Sequence, residues 1–202
     1  MSAKQPRITT TPGRLIVISG PSGVGKDTVL RELFRIDPQL RYSVSYTTRP
    51  PRTDEIDGTS YSFVDEETFR DMAENKEFLE YANVHGQHYG TSQRRIQDAL
   101  DRGEDIVLKI DVQGAKWIRA EGRIAGAVFL FLLPPSMEEL RRRLTERDTE
   151  SAEDQALRWA NAEIELAEQD AYDHRVVNDD VKRAAGEILA IVDRSRQVGA
   201  PG

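Results

Sequence analysis

Gly20-Pro21-Ser22-Gly23-Val24-Gly25-Lys26-Asp27-Thr28 is the stretch that decides the fold. Before it runs Leu15-Ile16-Val17-Ile18, a short apolar segment with β-branched residues that reads as a buried parallel strand. After it, Thr28-Val29-Leu30-Arg31-Glu32-Leu33-Phe34 carries apolar residues at helical spacing. The glycines thus lie between a strand end and a helix start, the setting that a phosphate-cradling loop requires. With no side chains in the way, backbone N–H groups wrap inward, and the positive end of the helix adds to the anion site. Lys26 is a mobile point charge able to reach the β and γ phosphates of a nucleotide. The next position departs from the motif. It calls for Ser or Thr, whose hydroxyl ligates Mg²⁺, and the chain has Asp27, with Thr28 one residue later.

The remainder of the chain bounds what this loop can serve. At 202 residues, with 38% hydrophobic and 31% charged residues, it suits one core domain with inserted subdomains. The net charge of −7 argues against bulk nucleic acid or an anionic membrane as partner, so a polyanionic ligand needs locally clustered cations. The absence of cysteine excludes thiolate chemistry and fits a reducing, cytoplasmic setting. No apolar run approaches membrane-spanning length, and Met1–Gly13 lacks the hydrophobic stretch of a secretory signal. Residues 1–13 and 197–202 read as flexible tails.

Strands alternate with helices along most of the chain, which predicts a parallel sheet with helices on both faces. Strands are expected near 14–18, 40–46, 61–64, 78–84, 105–111, 127–133 and 175–178. Between about 44 and 94 the rhythm breaks into short strands and turns, the pattern of a small antiparallel inserted lobe. The segment from about 139 to 167 is helical and densely charged, and reads as a mobile lid. The core domain is therefore expected over 14–43, 95–138 and 168–196, the lobe over 44–94 and the lid over 139–167.

Several residues outside the loop have chemistry to offer. Arg49 and Arg52 stand three apart on a proline-stiffened loop, and guanidinium forks bind phosphate bidentately. Tyr61 and Tyr89 could donate hydroxyls to the same group. Taken alone, these four read rather as exposed arginines and packed tyrosines. Glu80 is a lone acid on an apolar strand; its carboxylate can accept two parallel bonds from the N1–H and 2-amino group of guanine, with Thr91 donating to O6. Arg143, Arg147 and Arg158 form a cationic row that would ordinarily be a solvated face, but beside a phosphate loop could neutralise a transferring phosphoryl group. His85, His88 and His174 show no metal spacing.

From about Arg14 to Arg196 the chain resembles guanylate kinase. The resemblance rests on Ser19–Lys26, Ser43-Val44-Ser45-Tyr46-Thr47-Thr48-Arg49-Pro50-Pro51-Arg52, Asp57-Gly58 through Tyr61-Ser62-Phe63-Val64, Glu77-Phe78-Leu79-Glu80, Tyr89-Gly90-Thr91, Ile110-Asp111-Val112-Gln113-Gly114 and Val177-Asn178-Asp179-Asp180. Seven blocks in the right order are far more specific than a lone phosphate loop. The resemblance implies an α/β, P-loop NTPase fold with an inserted mixed α/β GMP-binding lobe and a helical lid. It implies transfer of the γ-phosphoryl group of ATP to GMP with Mg²⁺, and leaves dGMP open as a second acceptor. By the same resemblance Ser45, Glu80, Thr91 and Asp111 contact guanine, and Arg49, Arg52, Tyr61 and Tyr89 hold the GMP phosphate. The loop from Gly20 to Thr28, including Pro21, Ser22, Gly23, Val24, Gly25, Lys26 and Asp27, holds the ATP phosphates. Arg143, Arg147 and Arg158 match lid arginines, and Asn178 matches an asparagine near the adenine.

Against the family pattern, Asp27 stands where Ser or Thr is usual, Lys109 where an acid is usual, and Asp148 where Gly often follows the second lid arginine. The first two read as a paired swap in which Lys109 balances Asp27 while Asp27 ligates Mg²⁺ directly or through water. A rival reading gives the metal to Thr28 and leaves Asp27 to cap the helix. Two other functions compete: an inactive guanylate-kinase-like binding module, and a kinase of another phosphorylated acceptor. The retained loop and lid arginines argue against the first, Glu80 with Thr91 against the second.

Overall fold

The computed structural model describes residues 12–84, 86–145 and 152–198. Strand β1 (Leu15–Ser19) leads through the glycine loop into α1 (Lys26–Ile36). Then come β2 (Arg41–Tyr42), β3 (Tyr46–Thr47), β4 (Ser62–Phe63), α2 (Glu66–Glu74), β5 (Phe78–Val84), β6 (Gln87–Ser92) and α3 (Gln93–Asp101). The chain continues as β7 (Ile106–Lys109), α4 (Val112–Glu121), β8 (Val128–Leu133), α5 (Met137–Thr145), α6 (Ala152–Ala167), β9 (His174–Val177) and α7 (Val181–Val198).

The larger sheet has the order β2-β7-β1-β8-β9 and is parallel throughout. Because successive strand residues point to opposite faces, β1 feeds two cores. Ile16 and Ile18 pack with Leu30 and Leu33 of α1 and Ile188 and Val192 of α7. Leu15 and Val17 pack with Ile96 and Leu100 of α3 and Ala115 and Ile118 of α4. Each leucine, isoleucine or valine among them, taken fully out of water, contributes about 1.5–3 kcal/mol. The order of strands puts β7 and β8 on either side of β1, so the crevice at its carboxyl end is the expected ligand position of a doubly wound sheet.

The smaller sheet has the order β4-β3-β6-β5. An antiparallel lobe was the expectation; β3 and β4 in fact run parallel, while β3–β6 and β5–β6 are antiparallel, so the sheet is mixed. The single strand expected over 40–46 is also two. Tyr42 pairs with Val107 in the large sheet and Tyr46 with Gly90 in the small one. Between them Ser43 and Ser45 are buried, and each uses its backbone across the junction: the Ser43 N–H donates to Val107 at 2.9 Å, and Ser45 C=O accepts from Ser62 at 2.8 Å.

The ends also differ from expectation. Gly13, assigned to a tail, donates its N–H to the Leu100 carbonyl at 2.8 Å, and a Cβ there would lie 2.0 Å from the Glu104 oxygen. Only glycine allows that approach. Helix α7 extends to Val198, past Gln197 where the second tail was placed. Residues 1–11 and 199–202 lie outside the described residues, as do His85, Arg147 and Asp148. Among the described residues no helix is long and apolar enough to cross a membrane.

Candidate active site

The glycine loop takes its shape from three residues in the left-handed half of backbone space, Gly20 (φ 150°), Gly23 (φ 79°) and Gly25 (φ 94°). Gly25 caps α1 without a side-chain hydrogen bond, leaving the first amides of the helix for another partner. Asp27, one reading of which made it the cap, is instead inside the first turn. The Lys26 Nζ donates to the carbonyls of Gly20 at 2.5 Å and Pro21 at 3.1 Å. Burial, joined by the neighbouring Lys109 charge, lowers the Lys26 ammonium to about 8 against the pull of Glu165, Asp27 and Asp111.

Two side chains from distant elements brace the loop at one carbonyl. Val24 C=O accepts from Asn178 Nδ2 at 2.8 Å and from Arg143 at 3.2 Å. Asn178 is buried, and a Cβ on Gly25 would come within 2.7 Å of its Nδ2. Asn178 is thus placed against the loop itself. Arg143 is aimed by Glu139 one turn earlier in α5, whose Oε1 accepts from Nε at 2.7 Å. From α6, the Glu165 carboxylate accepts from the Ser22 N–H at 2.8 Å, so a loop amide already serves an anion. Arg158 of α6 lines the same cleft as Ser22, Asp111 and Glu165.

Beside the loop lies a cavity of about 180 Å³ lined by Ser45, Tyr61, Glu80, Tyr89 and Asp111, together with Lys26 and Lys109. Glu80 is only 5% exposed, although a lone acid on a strand ordinarily lies open to water. A register shift between Phe78 and Glu80 sets it opposite Thr91, whose hydroxyl donates to Glu80 Oε1 at 2.5 Å. Such bulges re-aim side chains. Burial pushes the Glu80 carboxyl up to about 7, opposed by the Thr91 hydroxyl and reinforced by the Asp111 charge. Asp111 has a second duty as the cap of α4, accepting from the Gly114 N–H at 2.8 Å.

The arginine loop is only partly gathered in. Arg49 NH2 donates to both oxygens of Glu55 at 2.7 and 2.9 Å, and its guanidinium lies 5.5 Å from the Tyr61 ring centroid. Tyr61 and Tyr89 meet edge to face at 5.9 Å. Arg52 is exposed, and its backbone N–H donates to Glu55 Oε2 at 2.8 Å. Thr28 is exposed on α1.

Three contributors escape a reading of the sequence. Glu55 organises the arginine loop, and its only signal is an acid three residues after Arg52. Gly114 lets Glu80 approach, since a Cβ there would lie 2.7 Å from Glu80 Oε2; a glycine one turn into a helix is a readable anomaly. Glu165 has no signal within its charged helix. The pairing of Lys109 with Asp27, by contrast, was legible: Nζ lies 2.5 Å from Oδ1. Lys109 and Lys26 line the cavity, and the Asp27 carboxylate is 76% exposed beside the loop.

Residues 12–195 match the family model described as guanylate kinase. The chain is 45% identical over 185 residues to the guanylate kinase of Alkalilimnicola ehrlichii, covering 92% of this chain and 90% of that one. It is 47% identical over 180 residues to that of Geobacter sulfurreducens, covering 89% and 88%. The crystal structure of guanylate kinase from Anaplasma phagocytophilum superposes with a TM-score of 0.74 at 35% identity, covering 92% of this chain and 87% of that one.

Proposed function

The chain belongs to the guanylate kinase family, and on that premise we propose how its site carries the γ-phosphoryl group of ATP to GMP, giving ADP and GDP. The observation that carries the assignment is that the phosphate-loop lysine and a buried carboxylate line one cavity. Donor and acceptor sites are thereby contiguous, which an in-line transfer requires.

The loop amides from Gly20 to Gly25 and Lys26 hold the ATP phosphates. Arg143, Arg147 and Arg158 neutralise charge on the transferring group, and Asn178 acts by fixing the loop. Glu80 receives the N1–H and 2-amino group of guanine, Thr91 and Ser45 complete the base contacts, and Asp111 closes the pocket from the cap of α4. Arg49, Arg52, Tyr61 and Tyr89 hold the acceptor phosphate. No side chain is needed as nucleophile, because the acceptor phosphate is already anionic. Residues 14–43, 95–138 and 168–196 form the core, 44–94 the acceptor lobe and 139–167 the lid. A cytoplasmic setting suits a chain without cysteine.

Mg²⁺ belongs with this reading. Among the described residues no group of three His, Cys, Asp or Glu forms a cage. One exposed carboxylate beside a phosphate loop nevertheless fits an ion that is held largely by nucleotide phosphates and water. Asp27, or Thr28 beside it, would hold the ion, which when bound supplies neutralisation of donor phosphate charge.

ADP formation measured with GMP, AMP, CMP and UMP side by side in Mg²⁺ and ATP tests the assignment. Turnover with GMP at least a hundredfold above the others is expected; equal turnover, or none, overturns it.

A further inference from the structure

The large sheet brings Lys109, from the end of β7, to the seam between the two nucleotide sites. Its side chain is 20% exposed, and its Nζ is tied to Asp27 at 2.5 Å, one residue after the loop lysine. It also lines the acceptor cavity with Tyr61, Tyr89 and Glu80. An ammonium carries three N–H donors; the Asp27 carboxylate engages one and the Tyr42 hydroxyl a second, which leaves the third for a ligand in the cavity.

We propose that Lys109 is a binding residue for the acceptor's phosphate, an ammonium standing between the acceptor monophosphate and the donor's phosphate loop, with Asp27 as the group that holds it there. This rests on the acceptor reading above. The position suits the chemistry. Tyr61 marks the phosphate end of the cavity and Glu80 the base end, and Lys109 neighbours Tyr61. Two phosphate groups that must approach each other repel, and a fixed cation at the seam reduces that repulsion where water is scarce. Lys26, the other ammonium on the cavity wall, is drawn to the loop side by the carbonyls of Gly20 and Pro21, where the reading above gives it to the donor phosphates. Lys109 therefore gives this chain a cation on the acceptor side of the junction, at a position where the sequence departs from its family's usual acid.

The test compares GMP with guanosine, which lacks only the phosphate. Dissociation constants are measured calorimetrically, without ATP or Mg²⁺, for the unaltered protein and for Lys109→Met and Lys109→Gln. The expected result is that the preference for GMP over guanosine falls at least fivefold in whichever variant folds, the scale of one charge-assisted contact. Lys109→Arg should retain the preference. A role confined to pairing with Asp27 would instead lower thermal stability and weaken both ligands alike, leaving the preference within fivefold, and that outcome overturns the proposal. If the unaltered protein itself prefers no GMP over AMP, the acceptor assignment is what has failed.

Discussion

The donor loop and the acceptor cavity are built by opposite means. The loop is one contiguous stretch whose working groups are backbone amides, shaped by three glycines and braced at the Val24 carbonyl by Asn178 and Arg143. The cavity draws its side chains from Lys26 to Asp111, across both sheets and the start of α4, and holds a buried acid, the recognition group of the proposed reading. On the proposed reading, backbone recognises phosphate, which every nucleotide carries; placed side chains recognise a base, which distinguishes one nucleotide from another. The loop can therefore be stiff and undemanding in residue type, whereas the cavity keeps a carboxylate out of water at a cost in stability.

Removing a charge from each region should separate them most sharply. Lys26→Met is expected to lower turnover at least a thousandfold, as loss of a principal phosphate contact, while GMP binding measured calorimetrically stays within a few-fold. Comparable losses in both would mean the two regions are not energetically distinct.

Glu80→Gln is expected to raise KM for GMP about a hundredfold and KM for ATP less than threefold. The same change should stabilise the unliganded protein. A carboxyl raised to about 7 binds protons more tightly folded than unfolded. Its stabilising contribution is thus present below the ordinary carboxylate range and lost as pH climbs toward 7. At pH 8 the variant should be more stable by up to roughly 2–3 kcal/mol, read by urea unfolding. A destabilised variant would count against a strained acid.

The pH dependence follows from the same group. Accepting two guanine donors requires the ionised form, so GMP affinity should fall about tenfold between pH 8 and pH 6, with ATP affinity little changed. Glu80→Gln should flatten that profile.

Smaller effects probe the supports of each region. Gly114→Ala sets a methyl against the Glu80 carboxylate and should weaken GMP several-fold with no change in ATP binding. Asn178→Ala leaves the Val24 carbonyl to Arg143 alone and should cost about 1–3 kcal/mol, a fall of a few degrees in Tm, without altering base preference.

The same contrast explains what could be read in advance. The loop was legible because its signal is local: glycines, a lysine, an apolar strand before and a helical period after. The alternating strands of the large sheet were legible for the same reason. The mixed pairing of the small sheet was not, because β3 meets β4 and β6 through contacts that no local pattern encodes. Nor could composition alone divide 40–46 between two sheets, since Arg41-Tyr42 and Tyr46-Thr47 are both good strand formers. Glu80 could be nominated from its chemistry, but its burial depends on Gly114 and Thr91 arriving from elsewhere. Glu55 and Glu165 are ordinary acids until the fold sets them against Arg49 and the Ser22 amide.

The chain leaves the large sheet after Tyr42 and rejoins its flank at α3, having built in one excursion most of the lining of the cavity beside the loop. Specificity is in that sense modular. On the proposed reading, an exchange of the stretch between Ser43 and Ser92 for a differently lined insert would change most of what meets the acceptor while the phosphate loop, with Lys109 and Asp111 at the seam, stays in place.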